Sequence, residues 1–273
     1  MKKLVVFVTV VVFILIISCG GSKKKTDDTV VSIKTEFGEI KVKLFDETPL
    51  HKNNFMKLVQ EGFYNDLLFH RVIKNFMIQG GDPDSKDAAQ GAKLGGGSLD
   101  YTIPAEIIPK FYHKRGALAA ARRGGSSNPE KRSSGSQFYI VQGEVYRPGE
   151  LDTLEMRINK QRKDLMVREH LEAEKSVLND LKAKNERDAF NLLVAEIIEE
   201  VDSIYDAGQK FVLTDEQREV YTTVGGYPSL DGEYTIFGEV IEGMDVVDKI
   251  VEVQTDGNNR PLENIKMEVE LVK

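Results

Sequence analysis

The chain has 273 residues, enough for one large domain or two small ones, and 41% of them are hydrophobic, ample for a packed core. Its net charge of −7 gives no sign of a nucleic-acid surface, which would need clustered Lys and Arg, so no nucleic-acid partner is expected. One cysteine excludes an intramolecular disulfide, and there is no tryptophan.

Residues 1–18 are a basic start followed by an apolar run, Leu4 to Ile17, which is short for a membrane span of about 20 residues and has the form of a secretory signal. The run ends Ile16-Ile17-Ser18-Cys19-Gly20, which resembles the lipobox of bacterial lipoproteins. That resemblance implies a cleaved signal over 1–18, a diacylated Cys19, and a flexible tether over 19–29 that holds the domain to a membrane. Glycine after the cysteine resembles an outer-membrane address in the cell envelope, facing the periplasm or the surface. The alternative is an uncleaved anchor helix with a chance cysteine.

Residues 30–45 alternate apolar and polar side chains around Phe37-Gly38 and predict a β-hairpin. Thr48-Pro49 then gives a cap and a proline at a helix start, Phe55, Leu58 and Val59 form the apolar stripe, and Gly62 stops the helix. The stretch from Phe69 to Pro83 reads as strand, short loop, strand and glycine turn. If the loop at Lys74-Asn75 resets the two-residue alternation, Arg71, Phe76, Met77 and Gln79 share one side of a pleated surface. A permanent charge and an amide then stand beside an apolar pocket; the plainer alternative is a buried strand whose arginine reaches solvent along its stem.

Residues 84–100 read as plain loop: the Gly95-Gly96-Gly97 run lacks the lysine and hydroxyl of a phosphate cradle. Gly116 to Ala121 is a small-residue strand that lets another backbone or a substrate approach. In the strand after Ser133-Ser134-Gly135-Ser136, Gln137 and Tyr139 share one face and Phe138 and Ile140 the other. From Gly149 to Ala207 the periodicity becomes helical and predicts two or three helices packed as a hairpin. Residues 145–222 hold eighteen acidic against twelve basic residues, which accounts for most of the net charge. Strand texture returns at Gly225, with a turn at Asp231-Gly232, a short helix from Gly243 and a last strand from Ile265.

Three stretches together resemble one family. Phe69-His70-Arg71 with Phe76-Met77-Ile78-Gln79-Gly80-Gly81-Asp82, then Gly135-Ser136-Gln137-Phe138-Tyr139-Ile140, then Leu230-Asp231-Gly232 with Phe237-Gly238 are similar to the cyclophilin peptidyl-prolyl isomerases. The resemblance covers 30–145 and 222–273. It implies a mainly β, closed barrel capped by helices, with an inserted α-helical segment at 146–221. Carried over by residue, it implies Arg71 as the catalytic arginine, with Phe76, Met77, Tyr139 and Leu230 as the proline pocket. Gln79 and Gln137 would hold the substrate backbone, Ala121 and Arg122 would lie along it, and His70 and Tyr234 would stand at the edge. Tyr139 replaces the usual phenylalanine, and Ser229 and Tyr234 stand where other residue types are common.

The implied activity is cis–trans isomerisation of X–Pro bonds in envelope or secreted proteins, with proline-containing polypeptides as clients and folding assistance as the outcome. Such chemistry needs a donor, an apolar pocket and anchors, but no metal or other cofactor. A hydrolase reading fails at Ser136, which lacks the second glycine of a nucleophile elbow and an identifiable base. His51, His113 and His170 lack metal spacing and read as core or solvent residues. The competing reading is a non-catalytic proline-peptide-binding chaperone or scaffold that uses the helical insertion; a further one is that the insertion folds over the groove and regulates access.

Overall fold

The computed structural model describes residues 28–125 and 127–272; the predicted signal, Cys19 and most of the tether lie outside the described residues. The alternation of residues 30–45 produces β1 (Val30–Thr35) and β2 (Gly38–Leu44), paired with Val31 opposite Val42 and Ile33 opposite Ile40. All four side chains are fully buried. Helix α1 (Pro49–Gln60) buries Phe55, Leu58 and Val59 and ends before Gly62, whose φ of 67° reverses the chain. Its N-terminus is not capped by the Thr48 side chain, as the sequence suggests. The carboxylate of Glu106 instead accepts from the Leu50 and His51 amides at 3.1 and 3.0 Å. A charge from a distant loop there satisfies two orphan donors and the helix dipole together.

β3 (Arg71–Ile73) and β4 (Met77–Gly80) come next along the chain, and Asn75 at φ 62° makes the turn that resets the alternation. Then come β5 (Thr102–Ile103), β6 (Ala117–Ala120), β7 (Ser133–Ser134) and β8 (Phe138–Val141). Four helices occupy the next stretch: α2 (Pro148–Ala173), α3 (Lys175–Ala183), α4 (Arg187–Ala207) and α5 (Asp215–Thr223). β9 (Ile236–Glu242), α6 (Met244–Val251) and β10 (Glu268–Leu271) complete the chain.

Eight strands form one curled antiparallel sheet in the order β10-β1-β2-β9-β6-β8-β4-β3, and β5 and β7 form a separate pair. The expected closed barrel is therefore corrected to a curled half-barrel whose edge strands, β3 and β10, share no ladder. The chain that meets β3 at Val72 is the non-strand segment at Asn259, and β10 starts only at Glu268. The edges are stitched by an isolated bridge between Leu68 and Lys266 and by single bonds, Phe69 N–H to Ile265 O and Val72 N–H to Asn259 O.

Because both faces of the central strands are covered, those strands read as continuous apolar runs. One face carries Ile33, Val42, Leu118, Ile140 and Phe138 against Phe55 and Leu58 of α1 and Val247 and Ile250 of α6. The opposite face carries Met77, Ala117, Ala119, Tyr139, Val141 and Ile236. In the helical stretch, α4 packs on α2 and α3, burying Ile197 and Val201, while α2 also meets α5. Over 149–207 the structure has three helices, within the two or three that the periodicity predicts, and a further one follows beyond that range. The additional helix, α5, starts at a capping box: the Thr214 hydroxyl accepts from the Gln217 amide at 3.2 Å, and the Gln217 side chain accepts from the Thr214 amide at 2.9 Å. Leu151, Leu154, Leu213 and Tyr221 make a small core of their own.

Candidate active site

The second face of the sheet is where the predicted site residues meet. β4 and β8 pair with Gln79 opposite Tyr139, and β3 and β4 with Arg71 opposite Gln79. With a side-chain period of two, this register sets Met77, Gln79, Tyr139 and Arg71 on one surface. Arg71 Nη1 donates to Gln79 Oε1 at 3.2 Å, Gln79 Nε2 donates to Gln137 Oε1 at 2.9 Å, and Gln137 Nε2 donates to the carbonyl of Gly97 at 2.7 Å. Each amide accepts from one neighbour and donates to the next, so the order of donors fixes both amides and holds the guanidinium in place.

Beside this chain lies the apolar floor. Met77 and Tyr139 are buried, and Phe76, Leu230, Tyr234 and Ala121 are half-buried around them. The Arg71 guanidinium carbon sits 5.7 Å from the Phe76 ring centre. Leu230 comes from a 3-10 turn at Pro228–Leu230, far along the sequence from β4. Tyr234 meets Tyr139 edge-on at 5.7 Å and carries the Arg122 guanidinium over its face at 4.6 Å. Arg122 is further tied to Glu233, through its carbonyl at 2.7 Å and its carboxylate at 3.0 Å. Its side chain thus braces the Tyr234 turn.

On the polar side a cleft of about 740 Å³ runs along Gln79, Gly95, Gly97, Tyr101, Ala121 and Gln137. The glycine run that reads as plain loop in the sequence is one wall of it. Asp82, fully buried, accepts from the amides of Gly95 and Gly97, and a Cβ at Gly97 would strike its carboxylate. Only glycine lets the backbone come so close. Asp82 and Gly97 are therefore site-building residues that the motif reading missed. The signal was a glycine triplet downstream of a buried-looking Gly-Gly-Asp.

His70 does not stand at an open edge. It is 3% exposed, under the loop at Gly95, with neither ring nitrogen hydrogen-bonded. Burial holds its imidazole below the ordinary value, against the pull of the nearby Asp82 carboxylate. Tyr227, unflagged in the sequence, packs its ring 4.2 Å from Phe76 and extends the apolar wall.

His51 and His113 are core residues, as expected. His51 lies between Glu106 at 2.7 Å and Ser133 Oγ at 2.9 Å. His113 bonds Asp231 Oδ1 and the Tyr139 hydroxyl, each at 2.9 Å. Ser136 is buried and its hydroxyl has no hydrogen-bond partner, so no base is bonded to it.

The family model for the cyclophilin type peptidyl-prolyl cis-trans isomerase domain matches residues 30–161 and 208–270. A Rhizopus delemar protein, peptidyl-prolyl cis-trans isomerase-like 2, is 28% identical over 238 residues, 86% of this chain and 27% of that protein. A Streptococcus pyogenes relative is likewise much longer, this chain spanning 37% of it. Peptidyl-prolyl cis-trans isomerase CYP18-2 of Arabidopsis thaliana is 25% identical over 240 residues, covering 87% of this chain and 89% of that one. Among solved structures, a Cryptosporidium parvum cyclophilin type isomerase superposes with a TM-score of 0.52 at 22% identity, covering 90% of this chain and 99% of that one, which is a likeness of fold. With the family's domain matched over most of its length, the chain belongs to the cyclophilin-type peptidyl-prolyl cis-trans isomerases.

Proposed function

We propose that this chain accelerates rotation about X–Pro bonds, with Arg71 as the catalytic donor and proline-containing polypeptides as substrates. The observation that carries the reading is the junction at Arg71: an ordered amide chain through Gln79 and Gln137 on one side, a floor of Phe76, Met77, Tyr139 and Leu230 on the other. Amide resonance sets a rotation barrier of about 18–20 kcal/mol. In the twisted transition state the proline nitrogen regains its lone pair, so a donor aimed at that nitrogen stabilises the transition state more than either planar isomer. One N–H of the Arg71 fork goes to Gln79; another is the donor assigned to the proline nitrogen. The floor takes the pyrrolidine ring, while Gln79, Gln137 and the Ala121–Arg122 backbone hold the rest of the peptide. The Cryptosporidium parvum relative has also been crystallised in the presence of the dipeptide Ala-Pro, which is in keeping with a proline-peptide ligand.

The test is exchange kinetics on a short Ala-Pro peptide with residues 27–273 and with Arg71→Ala. We expect fast isomerisation in the parent and a loss of about a hundredfold in the variant, the scale of removing one transition-state donor. Weak activity that the substitution leaves unchanged would favour the second reading, a proline-peptide-binding chaperone or scaffold. That reading draws on exposed apolar side chains of the helical stretch, Met156 at 66% and Leu192 at 61%. In either case we keep the helical insertion expected at 146–221 as a proposal, of which residues 162–207 lie outside the family match.

We further propose that Cys19 is lipidated and holds the domain at the cell envelope. Labelling with a radioactive fatty acid checks this: label lost in Cys19→Ala supports the anchor, and an unlabelled parent rejects it.

A further inference from the structure

The helical stretch is wired to the proline pocket through a buried line of polar side chains. Tyr221, on α5 and fully buried, donates its hydroxyl to Asp231 Oδ2 at 2.6 Å. Asp231 Oδ1 accepts from the backbone amide of His113 at 2.8 Å and lies 2.9 Å from its Nδ1. A carboxylate only accepts, so Nδ1 carries a proton, and Nε2 is hydrogen-bonded to the Tyr139 hydroxyl, 2.9 Å away. Burial pushes both phenols far above their ordinary value, which keeps them donors. At one end of the line is a wall of the pocket. Asp231 is also the neighbour of Leu230, another wall.

α5 is mounted firmly enough to matter. The Tyr146 amide bonds the Tyr221 carbonyl at 2.9 Å, and the Tyr227 amide bonds the His113 carbonyl at 2.7 Å. Gly226 lies between these segments, where a Cβ would meet the His113 carbonyl and the Tyr221 ring. The Tyr139 hydroxyl, which the usual phenylalanine lacks, is what extends the line into the pocket.

We propose that Tyr221 is a positioning residue for the proline pocket, setting Leu230 through Asp231 and the Tyr139 ring through Asp231 and His113. The inference rests on the isomerase reading for its kinetic consequence but not for its geometry. Tyr221→Phe removes the hydroxyl and keeps the ring. Well below its melting transition it should lose about three- to tenfold in kcat/KM on an Ala-Pro peptide, since small displacements of positioning walls are costly. Combined with Tyr139→Phe it should lose less than the product of the two single effects. Tyr146→Phe, altering the same small core but not the line, should match the parent. The NMR readout is independent of turnover: Tyr221→Phe should move the His113 imidazole nitrogen and Leu230 methyl resonances. Parent-like kcat/KM, or a kinetic loss without movement of those resonances, overturns the proposal. If the parent shows no Arg71-dependent activity, it is the isomerase reading that fails. The resonances then decide: movement at His113 and Leu230 upholds the positioning role, and their constancy rejects it.

Discussion

At the scale of single residues, the site is decided by what each polar side chain is bonded to. Arg71 suits the proposed donor role because its planar fork carries several N–H groups, of which the bond to Gln79 uses one. A lysine keeps the charge but has one nitrogen and no fork. Arg71→Lys is therefore expected to lower kcat/KM at least about tenfold while leaving the fold intact; exchange NMR on an Ala-Pro peptide measures it, and activity within about twofold of the parent would contradict the assignment. The two glutamines show the same logic. Either could be a surface residue by composition, yet each both donates and accepts within one ordered chain. Tyr139 differs again: its ring belongs to the pocket and its hydroxyl to the interior.

At the scale of elements, strands place the face of the candidate site and loops complete it. β4 and β8 deliver their side chains by register alone. The loop at 84–97 has no ladder to hold it and is fixed instead by buried charges from both sides. Asp82 grips its glycine amides. Arg260, 4% exposed, donates to the carbonyls of Ala89 and Ala92 and to Asn264 Oδ1. Replacing Arg260 by methionine takes a donor from both carbonyls, although Ala89 keeps the Ala92 amide at 3.1 Å, at about 0.5–1.5 kcal/mol for each part-buried bond lost. We expect Arg260→Met to open the loop first. Limited proteolysis should cut within 84–97 faster than in the parent, with weaker Ala-Pro peptide binding and a sheet that keeps its circular dichroism. Parent-like cleavage would mean that Asp82 suffices.

At the scale of the whole molecule, stability is linked to pH through imidazoles that folding keeps neutral. Burial lowers both His51 and His70, although Glu106 and Asp82 respectively pull the other way. In the unfolded chain these groups take up protons below about pH 6.5. There the unfolded state binds more protons than the native state, so stability falls as pH drops from about 6.5 toward the folded-state pKa values. Asp248 contributes in a separate window. Burial raises its pKa, but bonds from Arg115 and Gln142 hold it below its usual 3.8, so its share is present above that value and lost further into acid. The expected result is a melting temperature lower at pH 5.5 than at 7.5, by about 2–4 °C for each kcal/mol lost. Imidazole NMR should find His51 and His70 mostly neutral at pH 6.5. A flat melting profile over that range, or ordinary titration of both, would contradict the linkage.

What the sequence determines by itself is local. Alternation specified β1, β2, β4 and β8 and the faces of Gln137 and Tyr139, since the side-chain period of a strand is two and any buried face enforces it. Proline and glycine marked the ends of α1. The pattern of Arg71 with Phe76, Met77 and Gln79 was legible because those residues lie on or beside two adjacent short strands. Closure was not legible: whether the edges of an eight-stranded sheet meet depends on how β3 and β10 approach in space, which the alternation within either strand does not encode. Nor could spacing along the chain show that Glu106 would cap α1, that Asp82 would hold Gly97, or that Tyr221, Asp231, His113 and Tyr139 would form one line. Those bonds join residues from separate segments, and their partners are chosen by the tertiary fold, which pairs most of the polar groups it buries.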